Sequence, residues 1–65
     1  MEIRVNGASL QVEAKTLAAL VAELDYDDAA VATAVNQTFV RRKDRNETAL
    51  APNDEVEILT PRQGG

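Results

Sequence analysis

Met1-Glu2-Ile3-Arg4-Val5-Asn6-Gly7-Ala8-Ser9-Leu10-Gln11-Val12-Glu13 opens the chain, and its reading decides the fold. Met1, Ile3 and Val5 alternate with Glu2, Arg4 and Asn6, so an extended segment here has one apolar face and one polar face. Asn6-Gly7 follows, the dipeptide best suited to the positive φ angles of a two-residue hairpin turn. Leu10 and Val12 then alternate with Ser9, Gln11 and Glu13. Residues 1–6 and 9–13 are expected to form an antiparallel hairpin.

The next segment supplies a cover for it. Thr16 can cap a helix through its hydroxyl. Leu17, Leu20, Val21 and Leu24 follow at i, i+3, i+4 and i+7, with alanines and Glu23 between them. That spacing predicts a helix from 16 or 17 to about 25, with one apolar stripe for one sheet face. Asp25-Tyr26-Asp27-Asp28 closes it. These acids lack the glycine and distal glutamate of a calcium loop, so a solvated connection is expected there and no metal site.

Val31, Thr33 and Val35 alternate again, and predict a strand over 31–36. Asn36-Gln37 can turn the chain into a short strand over 38–41. Residues 42–53 carry no strong period. The cationic run Arg41-Arg42-Lys43-Asp44-Arg45 leads into them, expected as a solvated face or a dock for an acidic partner. Leu50 is expected in the core, Pro52-Asn53-Asp54 is a turn signal, and Glu55-Val56-Glu57-Ile58-Leu59 reads as a last strand with Val56 and Ile58 inward. The first hairpin can accept this strand beside its first member, with the helix packed across one face. The expected fold is α+β: a β-grasp, ubiquitin-like domain over 1–60, with a mixed sheet of four to five strands and one main helix. Residues 61–65 form a tail, expected to be flexible.

Size and composition narrow the function. The chain has 65 residues and neither Cys nor His, so it has no thiolate, no imidazole and no disulfide to reinforce a small core. Asp25, Asp27 and Asp28 have no nucleophile or base near them in sequence, which argues against an enzyme. Seven basic and 11 acidic side chains give a net charge of −4, which disfavours nucleic acid as the main partner. No apolar run approaches the ~20 residues of a membrane span, and the first residues lack the pattern of a secretory signal. A cytoplasmic protein, monomeric when free, is expected.

The tail is Pro61-Arg62-Gln63-Gly64-Gly65. Pro61 removes a backbone donor and stops the strand. Gly64 and Gly65 have no Cβ and can pass close to another backbone. Taken alone, such a tail reads more often as a frayed terminus than as a device.

The whole chain resembles the ThiS family, the ubiquitin-like sulfur carriers of thiamine biosynthesis. The resemblance is carried by the first strand ending in Asn6, by Thr16-Leu17, and by Ala34-Val35-Asn36-Gln37. It continues through Val40, Arg42, Asp54-Glu55-Val56-Glu57-Ile58 and the terminal Gly64-Gly65. Asn53 departs from it, since the family often has glycine there; asparagine tolerates positive φ, so the turn should survive.

The resemblance implies a carrier and not a catalyst. A partner E1-like adenylyltransferase would use ATP to adenylylate the Gly65 carboxylate, and a sulfur donor system would convert it to a thiocarboxylate. Thiazole synthase would then consume the sulfur. Gly64 and Gln63 would thread into the partner, Phe39, Arg41 and Arg42 would dock it, and no cofactor would be bound to the carrier itself. Arg42 has an equal structural reading, as the ion-pair partner of Asp44 or Glu47. The small subunit of molybdopterin synthase, or a carrier for another sulfur pathway, shares this terminal chemistry. A ubiquitin-like modifier or plain binding module is the alternative of another class.

Overall fold

The computed structural model of the chain describes residues 1–61. The opening hairpin forms as β1 (Glu2–Val5) and β2 (Ala8–Gln11), in register from Glu2↔Gln11 to Val5↔Ala8. Asn6 and Gly7 are its two-residue turn, at φ 50° and 87°. Both lie in the left-handed region that this turn demands and that Asn-Gly reaches at least cost.

Helix α1 (Leu17–Glu23) starts where the Thr16 side chain accepts the Ala19 N–H at 3.1 Å, the expected N-cap. It stops two residues short of the expected end, for a local reason. Asp25 adopts φ 64°, its N–H donates to the Ala22 carbonyl, and the Tyr26 N–H donates to that of Val21, each at 3.0 Å. This is the paired closure of a Schellman turn, with aspartate in the position usually held by glycine. The Glu23 carboxylate then reaches back to accept the Glu13 and Ala14 N–H groups, tying the helix end to the chain that leads into it.

Strands β3 (Ala32–Val35) and β4 (Thr38–Val40) form a second hairpin, paired from Val35↔Thr38 to Thr33↔Val40. Its turn, Asn36-Gln37, also has two positive φ angles, 49° and 72°. A 3₁₀-helix (Arg42–Glu47) fills part of the stretch that has no sequence period. Thr48, Ala49 and Leu50 follow it and lie against the residues before α1. Leu17 N–H donates to Thr48 O, Leu50 N–H to Lys15 O, and Thr16 bridges Ala49. Leu50 thereby enters the core.

Strand β5 (Glu55–Leu59) runs parallel to β1 and antiparallel to β3, giving the order β2-β1-β5-β3-β4. A five-stranded mixed sheet with one helix against one face is the β-grasp arrangement. Ile3, Val5, Val56 and Ile58 meet Leu17, Leu20 and Val21 in the core between sheet and helix. Asn53 turns the chain into β5 at φ 71°, the conformation that a glycine would otherwise supply.

Candidate functional site

Alternation along β5 sends Val56 and Ile58 inward and leaves Glu55, Glu57 and Leu59 on the outer face. Leu59 is 63% exposed, and Phe39 on β4 is 65% exposed. Register brings the two together: Phe39 pairs with Ala34, Ala34 with Glu57, and Ala32 with Leu59. The alanines of β3 are too short to rise between the two large side chains. They floor a shallow depression of about 70 Å³ whose walls include Phe39, Glu57 and Leu59. The two side chains form a small exposed apolar patch on the outer face of the sheet. Leu59 is followed directly by Thr60-Pro61, so the patch adjoins the end of the sheet from which the chain departs.

Leu59 is the residue that reading the sequence as a last strand passes over. Its signal was present: Glu55 and Glu57 mark the outward positions of β5, and Leu59 continues that row with an apolar side chain. Gln63, Gly64 and Gly65, expected to thread and carry, lie outside the described residues.

The cationic run is divided by the fold. Arg41 pairs with Asp44 at 3.3 Å, whereas Arg42 reaches Asp28 at 3.1 Å, with both members of that pair exposed to solvent. Arg42 therefore takes neither of the partners expected for it, Asp44 or Glu47. The 3₁₀-helix turns its side chain toward the loop after α1, on the helix side of the molecule. There it joins Ala18, Ala22, Tyr26 and Lys43 around an open groove of about 560 Å³. Phe39 and Arg42 thus line different depressions, although three positions separate them in sequence.

Arg45 is no surface cation at all. It is 3% exposed and donates from Nε to Thr33 Oγ1 at 3.0 Å. It also donates from the two terminal nitrogens to the carbonyls of Asp28 and Val31 at 2.8 and 2.7 Å. It staples the 3₁₀-helix to the α1–β3 loop and to β3. Nothing in an aperiodic, charge-rich stretch distinguishes this arginine from its neighbours.

Of the three loop acids, Asp27 accepts the Ala29 N–H and Asp28 holds Arg42. Both are thereby engaged in loop structure.

The family model for the ThiS family matches residues 3–65. The chain belongs to the ThiS family. Among solved structures, this ThiS-family chain is similar to the crystal structure of a thiamine biosynthesis protein (ThiS) from Geobacter metallireducens. The TM-score is 0.84 at 25% identity, over 100% of both chains. A solution structure of a thiamine biosynthesis protein from the same organism matches with a TM-score of 0.81 at 26% identity, over 100% of this chain and 88% of that one. No curated protein matches. Among the described residues of this ThiS-family chain, no helix is long and apolar enough to cross a membrane.

Proposed function

We propose that this chain is a sulfur carrier of thiamine biosynthesis, with the carboxylate of Gly65 as the carrying group. The observation that carries the reading is the ThiS-family match, which runs through the β-grasp domain to Gly65 itself. The exposed Phe39–Leu59 patch beside the departing chain supports it, because a carrier must present its tail and a grip at the same time.

The chemistry follows from the state of the group. A terminal carboxylate, with an ordinary pKa of about 3.3–3.7, is ionised at neutral pH and is a poor electrophile. In a partner adenylyltransferase one carboxylate oxygen attacks the α-phosphorus of ATP, and pyrophosphate leaves. The acyl-adenylate has AMP as its leaving group. A sulfide equivalent from a donor system attacks the carbonyl carbon, AMP departs, and the product is a thiocarboxylate. Thiazole synthase takes that sulfur. The glycine at the acyl position offers little steric resistance, and Gly64 and Gln63 thread the partner's channel. Phosphate charge is neutralised by the partner, so the carrier needs neither His nor Cys. Phe39 and Leu59 form the apolar part of the dock, and Arg41 and Arg42 contribute charge that speeds association.

Incubation with the cognate adenylyltransferase, ATP and a sulfur source is expected to exchange one terminal oxygen for sulfur, read by intact mass. Deletion of Gly65 is expected to abolish this while leaving the fold unchanged. An unaltered mass in the presence of verified partner activity rejects the carrier reading, and lysine-linked conjugates in lysate would favour a modifier.

A further inference from the structure

Strand β5 is held unequally along its two edges. On one edge β3 stays in register with it out to Ala32↔Leu59. On the other, β1 registers only Arg4↔Glu55 and Val5↔Val56, because the chain turns away at Asn6-Gly7. From Ile58 onward the edge facing β1 has no strand to pair with.

Asn6 fills that place with its side chain. The Ile58 N–H donates to Asn6 Oδ1 at 2.9 Å, and Asn6 Nδ2 donates to the Ile58 carbonyl at 3.1 Å. The Asn6 backbone N–H donates to the Val56 carbonyl at 2.9 Å. A carboxamide presents a donor and an acceptor in one plane, as a peptide unit does, so it substitutes for the missing ladder. The turn that sends β1 away is therefore also the clasp that completes the pairing of β5. Asparagine serves both purposes, since it tolerates the φ of 50° found here and carries the amide.

The clasp closes on the third residue before Pro61, next to Leu59 of the outer patch. A strand bonded along one edge can pivot about it; bonded along both, it cannot. We propose that Asn6 is a positioning residue for the carrier reaction: its carboxamide fixes the direction in which Leu59, Thr60 and Pro61 leave the sheet. A partner gripping the outer face then receives the departing chain along one direction. This rests on the carrier reading above. Misplacement of a reacting group by about 1 Å can cost 10²-fold in rate, so a clasp remote from the carboxylate acts on turnover and not on docking.

The test compares the full chain with Asn6→Gly, which keeps the turn and removes the amide, and with Asn6→Asp, which keeps an acceptor and loses the donor. ATP–pyrophosphate exchange by the cognate adenylyltransferase gives kcat and KM for the carrier. Amide hydrogen exchange gives the state of β5. In both variants kcat is expected to fall tenfold or more, with KM within twofold. The Ile58 amide should lose protection in Asn6→Gly, which removes its acceptor, and keep more of it in Asn6→Asp, which loses only the bond to the Ile58 carbonyl; amides paired across β3 and β5 keep theirs in both. Unchanged kcat in either folded variant overturns the inference, as does a raised KM with kcat intact, which would make Asn6 part of the docking surface. A wild-type Ile58 amide exchanging as fast as that of Thr60 overturns it without any variant. A wild-type chain that is not adenylylated at all removes the carrier reading, and this inference with it.

Discussion

The guanidinium of Arg45 donates to the hydroxyl of Thr33 at 3.0 Å, and both residues are buried, at 3% and 2% exposure. Among the described residues no carboxylate pairs with Arg45. Its charge is stabilised by a hydroxyl and two carbonyl oxygens, those of Asp28 and Val31. Hydrogen bonds to a charged group contribute about 1.5–3 kcal/mol each, and a buried acceptor left empty costs about 1–3 kcal/mol. Arg45→Ala is therefore expected to cost about 3 kcal/mol or more. A core of this size yields only about 3–5 kcal/mol net, so the variant should retain at most about 2 kcal/mol and have a measurable unfolded population. Urea unfolding followed by circular dichroism measures it. A loss below about 1 kcal/mol would show that desolvation of the guanidinium cancels its bonds.

Thr33 has a second bond: its hydroxyl donates to the Val40 carbonyl at 2.8 Å, tying β3 to β4. Thr33→Val keeps the shape and removes both bonds. The expected cost is about 1–2 kcal/mol, with a coupling to Arg45→Ala of at least about 0.5 kcal/mol in a double-mutant cycle. Strict additivity of the two losses would place Thr33 outside the Arg45 network.

The two hairpin turns have the same geometry and different second residues. Gly7 sits at φ 87° and Gln37 at φ 72°. A Cβ on Gly7 would meet nothing within 4 Å, so Gly7→Ala isolates the backbone effect. It should cost about 1–2 kcal/mol, the left-handed penalty for a residue with a Cβ. Gln37→Gly works in the opposite direction and should stabilise by about 0.5–1 kcal/mol, because Asn-Gly suits this turn better than Asn-Gln. Thermal melts of the two variants should move oppositely. A shift of the same sign in both would mean that side-chain contacts, and not φ, govern these turns.

What could be read from the sequence was whatever repeats with a period. Alternation fixed Ile3, Val5, Val56 and Ile58 as core, and the 3.6-residue spacing of Leu17, Leu20 and Val21 fixed the helix face against them. Turn chemistry was equally direct at Asn6-Gly7, Asn36-Gln37 and Asn53. The 3₁₀-helix was not legible, since its one buried anchor, Arg45, differs in no local way from the exposed Arg41 and Arg42. Sequence distance points Arg42 to Asp44 or Glu47, whereas its partner Asp28 lies 14 positions away. Leu59 is legible in principle, as the apolar member of the outward row that Glu55 and Glu57 mark on β5. The clasp of Asn6 on Ile58 spans 52 positions and depends on the register of β1 against β5, which no pattern within either segment encodes.

Phe39 and Leu59 provide the remaining test, and it separates the two depressions. Both side chains are mostly exposed and contribute little to the core, so Phe39→Ser with Leu59→Ser should change stability by no more than about 0.5 kcal/mol. If the pair is the apolar anchor of the dock, truncation should remove about 2 kcal/mol of binding. That appears as a KM for the carrier raised more than tenfold with kcat little altered, the reverse of the pattern expected for Asn6. Arg42→Glu addresses the helix side. Its pair with Asp28 is exposed, so the fold should lose less than about 1 kcal/mol. Adenylylation should slow at low ionic strength and recover toward the wild-type ratio as salt is raised. A normal rate for Arg42→Glu at every salt concentration, beside a defective Phe39–Leu59 variant, would confine the interface to the outer sheet face and leave the helix-side groove outside it.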